Sequence, residues 1–279
     1  MTPIACNLER IRNQIADACG RVGRDPNHVA LMAVSKTQPP EAICEAWTAG
    51  QRLFGENRVQ EWQAKRPQVA LLFRQTATNL DLEGSDLEDT SGSRRPNASA
   101  SVASTVIRAI EGCSKDGSAS ATGMPIRIHL IGPLQNNKTS RGAAIFDAVD
   151  TLDSLKTAER LNAAAQALGK TLPVLIEVKL SPEATKHGVA PEDLPGLLAA
   201  LRPHRQIDIR GLMTVPPPFD DPEMARPYFR RLRQLRDENL TLCPTLRELS
   251  MGMSHDFAIA IEEGATMVRL GTAIFGRRS

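Results

Sequence analysis

Residues 250–276 read SMGMSHDFAIAIEEGATMVRLGTAIFG, and this stretch decides the fold. It begins at the end of one apolar segment, continues with a helical pattern and reaches a second apolar segment at 267–270. The apolar positions of the helical pattern are Phe257, Ile259, Ala260 and Ile261. A strand, a helix and a second strand in this order predict two parallel strands joined by a right-handed crossover.

The same alternation extends back to the start of the sequence. Short apolar segments alternate with segments of helical period. The predicted strands lie at about 29–35, 52–56, 127–132, 148–152, 173–180, 207–215, 246–251 and 267–270. Helical patterns are clearest at 3–20, 154–168 and 222–238. Eight such units predict an α/β fold, a single closed (β/α)8 barrel with an extra N-terminal helix. A doubly wound open sheet is the alternative, but no G-x-G-x-x-G motif follows the first strand.

One segment interrupts the alternation at about 75–124. It is rich in Ser, Ala and Gly and nearly free of aromatic residues. Because such a segment buries too little apolar surface to offset the entropy of ordering, we expect a disordered or loose insertion between the second and third strand units. The residue pattern at 101–111 predicts a short helix within it. The remaining residues, about 230, suit one barrel, so the sequence predicts one domain over 1–279.

The composition excludes several classes of protein. The chain has 279 residues and a net charge of +2, which gives no electrostatic case for a nucleic-acid or membrane partner. The five cysteines are scattered without a C-x-x-C pair, as is typical of reduced thiols in the cytoplasm. No signal peptide and no long apolar window is found, so a cytoplasmic protein is expected. The five histidines lack the spacing of metal ligands, so no metal site is expected.

Lys36 stands at the end of the first predicted strand, in the stretch LMAVSKTQ at 31–38. In a (β/α)8 barrel the chemistry lies at the C-terminal ends of the strands. The lysine is therefore either an ordinary loop residue just past the strand or a nucleophile that faces the mouth of the barrel. In the second case, desolvation would lower the pKa of the lysine and supply a neutral amine.

The loops after the seventh and eighth strands carry small residues and hydroxyl groups. Gly252 and Gly271 let the backbone approach an anion closely, and Ser250 and Thr272 add hydroxyl donors. Such loops form the usual phosphate site of this fold. A lysine that faces a phosphate site across the barrel mouth predicts pyridoxal 5′-phosphate as the ligand, held by an imine and by its phosphate.

Arg269, on the eighth predicted strand, lies beside this phosphate site and is predicted to donate to the pyridine nitrogen. A guanidinium cannot accept a proton, so the ring nitrogen stays neutral and the cofactor is a weaker electron sink. The alternative for Arg269 is a salt bridge or a direct phosphate contact.

Several motifs together carry a family resemblance. They are AVSKTQP, FGENRVQE, HLIGPLQNNK, IRGLMTVPP, LSMGMSHDFAIAIEEGATMVRLGTAIFG and the K-x-G at Lys186–Gly188. Over about 1–70 and 125–279 the chain resembles the YggS/PROSC family of pyridoxal-phosphate-binding homeostasis proteins. The resemblance implies a single (β/α)8 barrel like the N-terminal domain of bacterial alanine racemase. Three positions depart from residues frequent in the family, namely Arg58, Ile128 and Lys179.

The resemblance also implies roles for individual residues. Lys36 would carry the imine and Arg269 would contact the pyridine nitrogen. The phosphate would be held by Ser250, Gly252, Gly271 and Thr272, and the ring would lie against Asn57 and Met213.

A role in cofactor homeostasis is favoured over turnover. A racemase needs one base on each face of the substrate α-carbon, and the single tyrosine, Tyr228, is expected to be a partly buried helix residue. Chiefly the family resemblance, with the lack of an evident second base beside it, implies storage of pyridoxal phosphate and its delivery to apo-enzymes, with a monomer favoured. Two alternatives stay open: a weak racemase-like enzyme, and a Schiff-base barrel enzyme that acts on another phosphorylated metabolite.

Two further residues attract hypotheses. His129 either reaches the barrel mouth or is a satisfied interior histidine, and the interior position is favoured. Lys138, in LQNNK after the third strand, is predicted to be a second amine at the mouth that accepts the cofactor in transit.

Overall fold

The computed structural model describes residues 1–85, 126–181 and 187–276, with the backbone alone over 77–85. Its strands are Ala30–Val34 (β1), Leu53–Glu56 (β2), Arg127–Leu130 (β3), Ala148–Leu152 (β4), Leu172–Glu177 (β5), Ile207–Met213 (β6), Glu248–Ser250 (β7) and Met267–Leu270 (β8). They pair in parallel, each with the next, and form a closed barrel. All eight predicted strands are confirmed. The open-sheet alternative is wrong, because β1 also pairs with β8.

Helices surround the barrel. They are Pro3–Arg21 (α1), Pro40–Thr48 (α2), Val59–Ser85 (α3), Thr139–Ile145 (α4), Leu155–Ala167 (α5), Leu194–Leu201 (α6), Arg226–Asn239 (α7), Phe257–Glu262 (α8) and Thr272–Phe275 (α9). The helix predicted at 222–238 starts as a 3-10 turn, Pro222–Ala225, before α7 begins. Within the three described ranges, no helix combines the length and the apolar character that crossing a bilayer requires.

The interior of the barrel is filled by apolar side chains from neighbouring strands. Met32, Leu53 and Met267 form a small buried cluster there. The cluster requires a glycine at position 55, because a Cβ there would lie only 2.7 Å from the Met32 sulfur. The outer faces of the strands pack against the helices in a second and larger core. The barrel is therefore a packed core rather than a pore, as expected for eight strands.

The predicted N-terminal helix is confirmed as α1. Its apolar stripe is buried and consists of Leu8, Ile11, Ile15, Ala18 and Cys19. The helix packs against α2, α8 and α9. Asn7 Nδ2 donates to the carbonyl of Ile274 over 2.9 Å, and Arg24 Nη2 donates to the carbonyl of Ala265 over 2.8 Å. The first helix thus supports the elements that follow β7 and β8.

The interruption predicted at about 75–124 lies between β2 and β3, as expected, although its first residues belong to helix α3. Helix α3 continues to Ser85, and the buried side chains of Trp62, Val69 and Phe73 fix its first half against the barrel. The short helix predicted at 101–111 and the rest of the interruption to 124 lie outside the described residues. The organisation of the whole chain as one domain stays a prediction.

Candidate functional site

Lys36 follows the last residues of β1 at the C-terminal end of the barrel. Val34 ends the strand, Ser35 is fully buried, and Lys36 is half-buried. The lysine lines a cavity of about 440 Å³. This cavity also receives residues from the ends of other strands, so it lies at the mouth where barrels of this type carry their sites.

Five of the predicted binding residues line this one cavity. They are Lys36, Asn57, Arg269, Gly271 and Thr272. They come from the ends of β1, β2 and β8, which are adjacent because the barrel closes. A lysine, a guanidinium and a glycine–hydroxyl turn therefore share one opening, although almost the whole chain separates the first from the last.

Arg269 is the most constrained of these residues. Its Nη1 donates to Ser250 Oγ over 2.7 Å and its Nη2 donates to the carbonyl of Thr214 over 2.8 Å. Two of its five N–H donors are used by these bonds, so others can serve a ligand. Burial lowers the pKa of Arg269, while the nearby carboxylates of Asp150 and Glu177 oppose the shift. A guanidinium nevertheless stays protonated, so the wall of the cavity carries a fixed positive charge.

Three predicted residues do not line the cavity. Ser250 is fully buried and holds Arg269. Gly252 is buried with a φ of +93°, and its carbonyl accepts from the N–H of Arg269 over 3.0 Å. Met213 is buried beside Ser250 in the pairing of β6 with β7. These residues lie behind the cavity wall and shape it.

The loop after β7 supplies residues that sequence reasoning missed. Met253, Ser254 and His255 line the cavity in place of Ser250 and Gly252. Ser254 Oγ accepts from the N–H of Ala273 over 3.3 Å and so connects this loop with α9. The signal was present as the second serine of SMGMSHD.

The groups around the Gly271–Thr272 turn suit the binding of an anionic group such as a phosphate. Ser254 Oγ accepts the N–H of Ala273 and keeps its own proton for an anion, and the hydroxyl of Thr272, which also lines the cavity, is a second possible donor. Gly271 leaves open the space beside Val34, whose carbonyl oxygen lies 3.4 Å from where a Cβ would stand. Helix α9 has a single turn, so hydroxyl and backbone donors, rather than a helix dipole, would hold the anion.

His129 lies at the other end of the barrel. It is the interior histidine that the sequence favoured, and its Nδ1 lies 3.1 Å from Asp150 Oδ1.

Other candidates also lie elsewhere. The ring of Tyr228 stands 5.7 Å, centroid to centroid, from that of Phe219 on the outer layer. Lys138 ends a 3-10 turn and does not line the cavity. Lys186 of the K-x-G motif lies outside the described residues. Among the described residues, no group of three or more His, Cys, Asp or Glu side chains could hold a metal ion.

The chain matches the family model described as alanine racemase, N-terminal domain, over residues 6–279. It is 37% identical to the pyridoxal phosphate homeostasis protein of Aquifex aeolicus (strain VF5), over 98% of each chain. It is also 37% identical to the protein of the same name from Pseudomonas aeruginosa, over 100% of this chain and 97% of that one.

Two solved structures extend the comparison. PipY of Synechococcus elongatus PCC7942, with PLP bound, shares 34% identity and a TM-score of 0.71, over 98% of this chain and 100% of that one. Alanine racemase of Clostridium difficile 630 is 14% identical with a TM-score of 0.58, over 98% of this chain and 56% of that one. This second likeness shows the fold alone.

Proposed function

This chain belongs to the alanine racemase N-terminal domain family and, within it, to the pyridoxal phosphate homeostasis proteins, and from that premise we propose that it binds pyridoxal 5′-phosphate as a Schiff base on Lys36. The protein would store and deliver the cofactor inside the cell. The observation that carries the proposal is that Lys36, Arg269 and the Gly271–Thr272 turn line one cavity.

Each wall of the cavity has a role in this proposal. The Lys36 amine would bond to the aldehyde carbon with loss of one water molecule. Arg269 would donate to the pyridine nitrogen. Its bonds to Ser250 and Thr214 fix the orientation of the guanidinium group. Ser254, Gly271 and Thr272 would bind the phosphate, and Asn57 would lie against the ring. Ser250, Gly252 and Met213 would support these groups from behind.

Two observations support a carrier over an enzyme. A guanidinium on the ring nitrogen cannot hold the ring proton, so a bound cofactor withdraws electrons weakly. The tyrosine that could act as a second base, Tyr228, contacts Phe219 away from the cavity. Recipient apo-enzymes, a monomeric state and a cytoplasmic location belong to the same proposal.

The first prediction concerns Lys36. We expect Lys36→Ala to abolish the visible absorption band of the Schiff base, because the variant lacks the amine that forms it. Borohydride reduction followed by peptide mass spectrometry should place the cofactor on Lys36 in the wild-type protein. Lys138→Ala serves as the control and should keep the band. If Lys36→Ala keeps the band, another amine binds the cofactor and the assignment is wrong.

Activity measurements separate the alternatives. A carrier should restore activity to an apo-enzyme and should not exchange the α-proton of alanine in D₂O. Exchange that disappears in Lys36→Ala would favour the racemase-like enzyme instead. A wild-type protein whose spectrum pyridoxal phosphate does not change would favour an enzyme for another phosphorylated metabolite.

A further inference from the structure

A buried cluster of side chains holds the backbone on both sides of Lys36. It consists of Ser35, Glu56, Glu61 and Lys65, and we call it the Lys65 cluster. Lys65, on α3, donates from Nζ to the carbonyl of Ser35 over 3.0 Å, to Glu56 Oε1 over 2.9 Å and to Glu61 Oε1 over 3.2 Å. One ammonium group thus uses its three donors within a single cluster.

The residue before Lys36 is held from two directions. Ser35 is fully buried, its N–H donates to the carbonyl of Gly55 over 3.0 Å, and its Oγ donates to Glu56 Oε1 over 2.8 Å. With the bond from Lys65 to its carbonyl, both the backbone and the side chain of Ser35 are fixed.

The residue after Lys36 is held by the same cluster. The N–H of Thr37 donates to Glu61 Oε1 over 2.5 Å. Thr37 has a φ of +62°, and among non-glycine residues it alone has a positive φ in the described part of the chain. A β-branched residue adopts this conformation only where its surroundings impose it. Here Glu61 binds the Thr37 N–H, and Lys65 in turn holds Glu61.

Lys65 supplies the one positive charge that the two carboxylates of the cluster share. The side chains of Glu56 and Lys65 are 0% and 8% exposed, and that of Glu61 is 25% exposed. Burial raises the pKa of Glu56, and the Lys65 ammonium opposes this shift. Removal of Lys65 would leave two neighbouring carboxylates without their shared cation, so they would separate or take up protons.

We propose that Lys65 is a positioning residue for Lys36, because it holds the Ser35 carbonyl before that lysine directly and the Thr37 N–H after it through Glu61, and thereby directs the Lys36 amine into the cavity. This proposal rests on the proposed Schiff base at Lys36. Lys65 itself is occupied by its three partners and would not touch the cofactor. Its effect would appear in the covalent step and not in recognition of the phosphate.

The test compares two ligands in the full-length protein. Pyridoxal 5′-phosphate carries the aldehyde, whereas pyridoxine 5′-phosphate has an alcohol there and cannot form an imine. In Lys65→Met we expect the apparent affinity for pyridoxal phosphate and the borohydride-trapped fraction on Lys36 to fall about tenfold or more, because the amine is misplaced. The affinity for pyridoxine phosphate should stay within about twofold of that of the wild type, because this ligand does not react with the misplaced amine.

Lys170→Met is the matched control. Lys170 is another partly buried lysine; it donates to the carbonyl of Phe146 over 3.2 Å just before β5, at the opposite end of the barrel. This variant should bind both ligands as the wild type does. Because Lys65→Met could fail to fold, Glu61→Ala is the second variant. It keeps the Glu56–Lys65 pair, frees the N–H of Thr37 and should show the same selective loss for the aldehyde ligand.

The outcomes are distinguishable. If wild-type protein forms no adduct on Lys36, the proposed function fails and the role of Lys65 falls with it. In the second outcome, the adduct forms, and the folded Lys65→Met and Glu61→Ala variants bind pyridoxal phosphate as well as the Lys170→Met control does. The positioning role is then overturned, while the proposed function stands. An equal loss for both ligands would mean that Lys65 supports the structure in general, which also overturns it.

Discussion

Gly252 fixes the path of the chain between β7 and the cavity. Its φ of +93° is one that residues with a Cβ rarely adopt, and a Cβ there would lie 2.6 Å from Ala260 Cβ. We expect Gly252→Ala to lower the free energy of unfolding by about 2 kcal/mol or more. It should also weaken cofactor binding, because Met253 and Ser254 would shift. Urea denaturation and a pyridoxal phosphate titration measure the two effects.

Gly196 offers the control for this substitution. It lies in α6, has no positive φ, and a Cβ added there would meet no heavy atom within 4 Å. Gly196→Ala should leave stability unchanged or raise it by up to about 1 kcal/mol. Equal destabilisation by both substitutions would contradict the special role assigned to Gly252.

At the scale of single residues, the sequence predicted which kinds of side chain lie near the cavity better than it predicted which of them face it. The sequence predicted that Lys36 and Arg269 lie at the barrel mouth, and both line the cavity there, because a strand end or an inward strand position determines where each side chain points. Ser250 and Gly252 were placed in the phosphate loop, yet Ser254 lines the cavity. The positive φ of Gly252 turns the chain after β7, and strand alternation no longer predicts direction beyond such a turn.

At the scale of elements, Glu263 joins α7 to the end of α8. Its side chain is 6% exposed and pairs with Arg226, Arg230 and Arg233 at 3.2, 2.9 and 3.3 Å. We expect Glu263→Gln to lower the free energy of unfolding by about 1–2 kcal/mol at neutral pH, because a nearly buried carboxylate loses charge-assisted bonds. Denaturant unfolding of both proteins measures this difference.

The pH dependence of this difference has a definite sign. Burial raises the pKa of Glu263, but bonds from Arg230 and Arg226 outweigh it and leave the pKa below its ordinary value of 4.5. The stabilisation is therefore complete above about pH 4.5 and is lost as the pH falls through the lower pKa of the folded state. Glu238→Gln is the control, since its pair with Arg231 is about half-exposed and contributes little. A difference that persists at low pH would count against the ion pairs.

The order of the elements followed from the sequence, whereas some of their ends did not. Apolar segments predicted all eight strands, because strands buried on both faces leave continuous apolar runs. The end of α3 was missed because the polar composition after residue 75 resembles a loop. Helix formation is cooperative, and the buried first half of α3, with Trp62 and Phe73, carries the helix on to Ser85.

At the scale of the whole molecule, each end of the barrel has a cavity of its own. A second cavity, of about 320 Å³, lies at the N-terminal ends of the strands and includes His129 and Asp150. Residues at this end of such barrels usually serve stability, and the binding groups lie at the other end. The His129–Asp150 pair should accordingly act mainly on stability, and its link to the candidate cofactor site is the Asp150 carboxylate, which opposes the pKa shift of Arg269.

His129 makes this expectation measurable. Burial lowers the pKa of His129, but the Asp150 carboxylate outweighs it, and the net shift is upward from 6.5. The pair therefore stabilises fully below pH 6.5, and the stabilisation is lost as the pH rises through the higher pKa of the folded state.

His129→Asn keeps a donor for Asp150 and removes the titration. We expect the wild type to lose stability relative to this variant as the pH rises from 6.5, in urea denaturation at several pH values. Affinity for pyridoxal phosphate should be the same in both. Parallel pH profiles would contradict the stabilising role of the charged His129. A weakened affinity for pyridoxal phosphate in the variant would contradict the independence of the two ends of the barrel.

The pairing of β1 with β8 has a consequence for the time at which the protein could first bind pyridoxal phosphate. A ribosome releases the N-terminal part of a chain first, so Lys36 leaves the exit tunnel long before Arg269 and Thr272 are made. If the proposed site is right, a nascent chain would offer the aldehyde neither a desolvated, neutral amine nor the groups that bind its phosphate. On the proposed function, lasting capture would have to wait until translation has delivered the final strand, and vitamin supply would act on finished protein molecules rather than on their synthesis.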